Sequence, residues 1–255
     1  MVQHAVMNIC GPVFEKSLIS DTYAAIKGRG QHRAVKKAEK NAGKNEFFLK
    51  MDIRKFFDSI DHFVLKKLIA GKIKDKKVLH LFSKIIDSYN VTDGKGLPIG
   101  NLTSQYFANL YLSKYDHFIK EKMKCKFYVR YMDDFIIWSN DKDFLLKIRD
   151  KSKKFLQTEL DLKLKAGGVI NCVKNGFNFL GYRIFKNKFR LTKRSKERFK
   201  RKFNYYEKLF MCNNIDEYEL QLRMTALFDF VLSADSVFLR KRMIALSELN
   251  NFQGY

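Results

Sequence analysis

Proline is nearly absent from this chain: Pro12 and Pro98 are the only two in 255 residues. With no Gly/Ser-rich stretch and no internal repeat, that excludes a string of small domains on linkers. It leaves one large domain or two modest ones. Cysteine is equally sparse. Cys10, Cys125, Cys172 and Cys212 lie far apart, form no CxxC and have no histidine at ligand spacing. Neither a zinc site nor a disulfide framework is indicated, and all four are expected as buried thiols in a reducing compartment. The five dispersed histidines read as ordinary surface or half-buried residues. No apolar run reaches the roughly 18 residues of a membrane span, and the N-terminus MVQHAVMNICGPVFEK lacks a basic stretch before an apolar core. No membrane partner and a cytoplasmic location are therefore expected.

Acidic residues are the scarce charge. Against 50 Lys+Arg stand 27 Asp+Glu, a net charge of +23. The 46% apolar content and the 24 Phe and 12 Tyr exclude disorder for most of the chain. A folded surface of this charge favours a polyanion, with nucleic acid ahead of an acidic protein and a membrane surface third.

Residues 21–45, basic and glycine-punctuated, read as an exposed loop leading into a helix. EFFLKMDI (46–53) reads as a buried strand ending at Asp52, followed by a helix with Asp58 and Asp61 as capping acids. Val78, Phe82, Ile85 and Tyr89 mark one face of a helix over 76–90. A turn-rich VTDGKGLPIG follows, then a helix from Thr103 capped by the Asn/Thr/Ser cluster at 101–104. KFYVRYMDDFIIWS (126–139) reads as a tight hairpin with both acids at its tip. Residues 143–160 read as helical, and GFNFLGYRIF with NKFRL as a further strand and hairpin. Beyond 192 a basic amphipathic helix carries seven Lys/Arg in residues 193–202, with Phe199, Phe203, Tyr206 and Phe210 on its apolar face. Two more helices are expected near 215–232 and 236–249.

Antiparallel neighbouring strands would bring Asp52, Asp133 and Asp134 together. Three adjacent carboxylates repel unless a cation neutralises them, and hard oxygen ligands with open positions suit Mg²⁺. Two such ions can activate a hydroxyl and stabilise a pyrophosphate leaving group, so the inferred chemistry is nucleotidyl transfer. An acidic pair at a hairpin tip is also ordinary turn composition, the plainer alternative.

The residues resemble those of reverse transcriptases. KMDIRKFFDSID is similar to their first carboxylate motif, GLPIGNLTSQYFANLYL to their template-positioning motif, YVRYMDDFIIW to their YxDD hairpin and FLGY (179–182) to their primer grip, in family order. Ile99-Gly100 to Ser104-Gln105, with DTYAAIKGRGQHRAV (21–35), most resembles the enzymes of diversity-generating retroelements. Group II intron, retron and phage-defence enzymes are the alternatives within the class. A non-catalytic RNA-binding remnant is the alternative outside it.

The resemblance implies an α+β right-hand polymerase fold: partial fingers at 1–45, a palm at 46–185 with inserted helices at about 62–100, and a helical thumb at 186–255. It implies Asp52, Asp133 and Asp134 as catalytic metal ligands, with the Ile53 carbonyl, for two Mg²⁺ ions or Mn²⁺ in their place. Phe57 would be the gate that excludes a ribose 2′-OH; an ordinary core Phe is its alternative. Arg29, Gln105 and Lys165 (or Lys163) would contact the nucleotide. The template and primer would meet Ile99, Gly100, Ser104, Tyr131, Met132, Leu180, Gly181, Lys193 and Arg194. Aliphatic Ile99, where retroviral enzymes carry Gln, goes with error-prone copying of adenines. Expected partners are an RNA template, a DNA or RNA primer, dNTPs and a small basic accessory protein, in a bacterial, archaeal or phage-encoded setting. The chain begins inside the family's second motif, so truncated fingers are expected. The lack of a maturase or endonuclease extension after residue 255 argues against the intron alternative.

Overall fold

The aromatic run after Glu46 forms strand β1 (Phe47–Asp52), and its pairing organises everything around it. The structure is a computed structural model and describes residues 2–247. β1 lies between β3 (Asp134–Ser139) and β4 (Val169–Cys172), with β2 (Phe127–Tyr131) beyond β3; every pairing is antiparallel, in the order β2-β3-β1-β4. Phe135, Ile136, Ile137 and Trp138 are all buried, so β3 is covered on both faces, which explains its unbroken apolar run.

Helices α1 (Val2–Glu15), α2 (Gln31–Gly43), α3 (Phe56–Ser59), α4 (His62–Ala70), α5 (Lys76–Asp87), α6 (Leu102–His117) and α7 (Lys142–Leu160) complete this unit. On one face Phe14, Phe82, Phe107, Tyr111 and Tyr115 join Leu49, Met51 and Phe135 in a single core. α6 runs through it, buried on almost every side, which is why its sequence shows little amphipathic contrast. On the other face α2 packs on β2 through Ala34, Val35 and Ala38, small residues that allow close approach.

The described residues from Val173 onward cluster as a second compact unit. β5 (Phe177–Phe179), β6 (Tyr182–Phe185) and β7 (Lys188–Leu191) form an antiparallel meander, followed by α8 (Lys193–Met211), α9 (Glu217–Leu232) and α10 (Val237–Ala245). The meander makes its own three-stranded sheet, and the two compact units divide at 172/173. Leu180 and Gly181 turn β5 into β6 with φ of +50° and +85°. A Cβ on Gly181 would sit 3.0 Å from Ser195 Oγ.

The carboxylate hairpin and most other elements follow the sequence expectations, but the one helix expected after Asp52 is two, with Asp61 at the N-cap of α4 as expected and Asp58 inside α3; the helix expected over 236–249 ends at Ala245, and residues 248–249 lie outside the described residues. Four further expectations need correction. Asp21–Ala24 are buried rather than an exposed loop, because Tyr23 N–H donates to Arg130 O and Arg130 N–H to Asp21 O. Cys172 is half-buried and Cys212 exposed; only Cys10 and Cys125 are buried. His62 is buried, its Nε2 2.7 Å from Gly96 O. Asn101 stands at the N-cap of α6 without a capping bond from its side chain, and Thr103 and Ser104 turn into the core. Strand β4 has no counterpart among the sequence expectations.

Candidate active site

Register places the first two carboxylates. Asp52, last in β1, pairs with Asp134, first in β3, while Tyr131 of β2 pairs with the same Asp134. Met132 and Asp133 form the two-residue turn between β2 and β3, with Met132 at φ +52°, a left-handed conformation uncommon for a side chain of this kind. The segment after α7 then closes the site. Lys165 N–H donates to Asp52 O at 2.7 Å and Arg54 N–H to Lys163 O at 2.9 Å, so residues 163–165 run alongside 52–54. Gly168 ends this segment at φ +89°, where a Cβ would lie 2.9 Å from Met51 Cγ.

Asp52, Ile53, Phe57, Ile99, Asp133 and Lys165 line one open cleft of about 630 Å³. Ile99 reaches it because Leu97 N–H donates to Phe57 O at 2.8 Å, tying the GLPIG turn to the segment after Asp52. Phe57 is half-buried, its ring edge-on to Phe56, and Ile99 is 79% exposed. Gly100, at φ +100°, is exposed beside it.

Other expected site residues lie elsewhere. Arg29 and Gln105 are not among the residues lining the cleft. Arg29 Nη1 donates to the carbonyls of Ile19 and Thr22 at 2.6 and 2.7 Å, bracing its own loop. Gln105 is half-buried in the first turn of α6, and Ser104 is buried at 2% exposure. Tyr131 and Met132 are half-buried in the hairpin. In the second unit, Gly181, Lys193 and Arg194 line a different cavity of about 970 Å³ with Asn178, Arg198 and Arg201, and Leu180 is in the adjoining turn.

The electrostatics show charge crowding. Burial raises the Asp133 carboxyl above its usual range, and the charge of Asp52 adds to this against the opposing pull of its own backbone amide, Arg130 and Lys165. Burial pushes Asp134 up to about 6, although Lys50 Nζ stands 2.9 Å from its Oδ2. Asp134 Oδ1 is buried without a hydrogen-bond partner. An all-oxygen donor set with one orphaned buried oxygen fits a hard divalent cation. Among the described residues, no three acidic, histidine or cysteine side chains yet converge as ligands, and Lys50 supplies the positive charge at Asp134.

Sequence reasoning missed Lys50 and Arg130. Both are charged residues inside apolar strands, two and three positions before a carboxylate, and that placement is the signal that could have found them. Strand alternation puts Lys50 on the same face as Asp52.

Residues 2–184 match the model of the family described as reverse transcriptase (RNA-dependent DNA polymerase). The chain is 32% identical over 134 residues to the group II intron-encoded protein LtrA of Lactococcus lactis subsp. cremoris, covering 50% of this chain and 22% of that one. It is 23% identical over 234 residues to protein YkfC of Escherichia coli, covering 74% and 61%. The chain thus spans less than two thirds of these relatives. Apo telomerase from Candida tropicalis is similar in fold, with a TM-score of 0.58 at 17% identity over 76% of this chain and 41% of that one. The same enzyme in complex with a fragment of telomeric RNA gives 0.58 at 16% identity over 97% and 47%. The architecture is that of the right-hand polymerases. Among the described residues no helix is long and apolar enough to cross a membrane.

Proposed function

The chain belongs to the reverse transcriptase family, and on that premise we propose that it copies an RNA template into DNA at the cleft bounded by Asp52 and Asp133. The observation that carries the reading is the pairing of Asp52 with Asp134 on adjacent strands, with Asp133 in the turn beside them. In this reading the three carboxylates and the Ile53 carbonyl hold two Mg²⁺ ions, or Mn²⁺ in their place. Bound there, such ions would supply Lewis acidity toward the primer 3′-hydroxyl and the departing pyrophosphate. Phe57 fills the space of a ribose 2′-OH and so selects dNTPs. Lys165, beside Asp133, offers an ammonium to the leaving phosphates. Arg29 and Gln105 serve the nucleotide only if the segments bearing them move toward the cleft.

Residues 1–45 act as fingers, 46–185 as the palm and 186–255 as a thumb whose Lys193 and Arg194 meet backbone phosphates near the Leu180–Gly181 turn. The hybrid is held by shape and charge. Gly100, Tyr131 and Met132 border the template and primer. Ile99 offers no hydrogen bond to a template base, which supports error-prone synthesis in a diversity-generating retroelement with a small basic accessory protein. The second reading, an intron-encoded enzyme, draws on the likeness to LtrA.

Primer extension on poly(rA)/oligo(dT) with Mg²⁺ and dTTP tests the proposal. Extension by the wild type and none by Asp133→Ala/Asp134→Ala supports it; equal binding of the hybrid by both, with no extension by either, reduces the chain to an RNA-binding remnant. Equal error rates opposite all four template bases would remove the mutagenic reading.

A further inference from the structure

Arg130 and its partner Asp116 are both fully buried. A charge at such depth persists only where its hydrogen-bonding groups are matched, and here they are. Arg130 Nε donates to Asp116 Oδ1 at 2.8 Å and Nη2 to Oδ2 at 2.6 Å. Nη2 also reaches Asn109 O at 3.4 Å, and Nη1 divides between Asn109 Oδ1 at 3.0 Å and Met132 O at 3.1 Å. Asp116 further accepts from Tyr128 Oη at 2.7 Å and Thr22 Oγ1 at 2.9 Å. Nε also reaches Asp116 Oδ2 at 3.0 Å, so all three guanidinium nitrogens are engaged, and the bond to Met132 leaves this network for the carboxylate turn.

That bond lands on the carbonyl of the residue immediately before Asp133, at the turn position with φ +52°. Arg130 itself does not line the cleft. Its backbone meanwhile holds Asp21 O and Tyr23 N–H at 2.9 and 3.0 Å, so the same residue clamps the 21–23 segment to β2.

We infer that Arg130, fixed by Asp116, is a positioning residue that orients the Met132–Asp133 peptide and so aims the Asp133 carboxylate. A guanidinium fork can hold a carboxylate through two nitrogens and still present Nη1 to a carbonyl; a lysine ammonium is a single point and cannot do both. A buried ion pair contributes little net stability compared with apolar packing, so orientation of the turn is the better account of why one sits here. The catalytic consequence rests on the polymerase reading, whereas the geometric part does not.

The test compares Arg130→Lys with Tyr128→Phe, which loosens the same network without touching Met132, each in the full chain. Three quantities are measured: melting temperature, amide hydrogen exchange at Asp133 and Asp134, and steady-state primer extension. Arg130→Lys is expected to speed exchange at both amides and to lower kcat, each about tenfold, with the dNTP KM within about threefold. Tyr128→Phe is expected to lower the melting temperature alone. If Arg130→Lys does not fold, Arg130→Gln/Asp116→Asn, which removes both buried charges together and with them the bond to Met132, should show the same pattern of faster exchange and lower kcat. Wild-type exchange and wild-type kcat in the folded variant would overturn the inference. So would an equal loss of kcat in Tyr128→Phe at matched melting temperature, because the network would then act through stability. Should the wild type itself fail to extend a primer, the polymerase reading falls, and exchange at the turn still decides the positioning role.

Discussion

Lys50 Nζ lies 2.9 Å from Asp134 Oδ2, while the other oxygen of that carboxylate is buried and unpartnered. The ammonium holds a place that a divalent cation would contest. Lys50 and Asp134 are each about one-quarter exposed, so solvent screens the pair only in part.

Lys50→Met should therefore destabilise the chain in EDTA by about 1–3 kcal/mol, the cost of leaving a largely buried carboxylate without its charge partner. Saturating MgCl₂ should recover more melting temperature in the variant than in the wild type. Thermal denaturation with and without the metal checks this, and an equal Mg²⁺ shift in both proteins would refute it.

The raised pKa of Asp134 has a consequence for stability. A carboxyl whose folded value is about 6, against an ordinary value near 4, binds its proton more tightly in the folded state. Its favourable contribution is complete below about pH 4 and is lost as pH rises through about 6. Asp134→Asn should match the wild type below about pH 4 and, in EDTA, exceed it above pH 7 by a margin on the order of 3 kcal/mol. Melting curves across that range decide the matter; a margin independent of pH would contradict the sign.

The strand ending at Asp52 and the hairpin around Asp133 were legible because short aromatic and β-branched runs, bounded by charged residues, have few other uses. Their pairing, and hence the meeting of Asp52 with Asp134, followed. β4 was not legible: LKLKAGGVIN lacks sustained alternation and carries two glycines, and its strand exists because β1 offers an open edge. The burial of Asp21–Ala24 was equally hidden, since it depends on pairing with Arg130 more than a hundred residues away. Within the site, Phe57, Ile99 and Lys165 share the cleft with Asp52 and Asp133, as the motifs implied. Ser104 does not, because helical phase alone does not say which side of α6 meets the core when nearly all of it does.

Phe57 lines the cleft with its ring fixed edge-on against Phe56 at 5.5 Å. If Phe57 is the proposed gate it works by steric exclusion, so shrinking it should admit the competitor rather than weaken the proper substrate. Phe57→Val is expected to lower the ratio of kcat/KM for dTTP over UTP by about 10–100-fold, mainly through a gain for UTP. An unchanged ratio would return Phe57 to the role of a core residue.

Six of the cations of α8 fall into two groups. Lys193, Arg194, Arg198 and Arg201 line the cavity beside Gly181, whereas Lys196 and Lys200 line another with Arg190 and Arg242. Phe199 and Phe203 between them are buried, which fixes the helix's rotation and keeps the two groups apart. If the first group meets the phosphates of an RNA/DNA hybrid, removing one of its cations means one fewer counterion released on binding. Arg194→Ala/Arg198→Ala should then flatten the slope of log affinity against log salt by about 1.4–1.8, at about 0.7–0.9 per phosphate. Lys196→Ala/Lys200→Ala changes the net charge equally, so it serves as the control for a general field effect. Its slope should stay at the wild-type value. Equal flattening in both double variants would mean that α8 binds through its overall charge, with no preferred face.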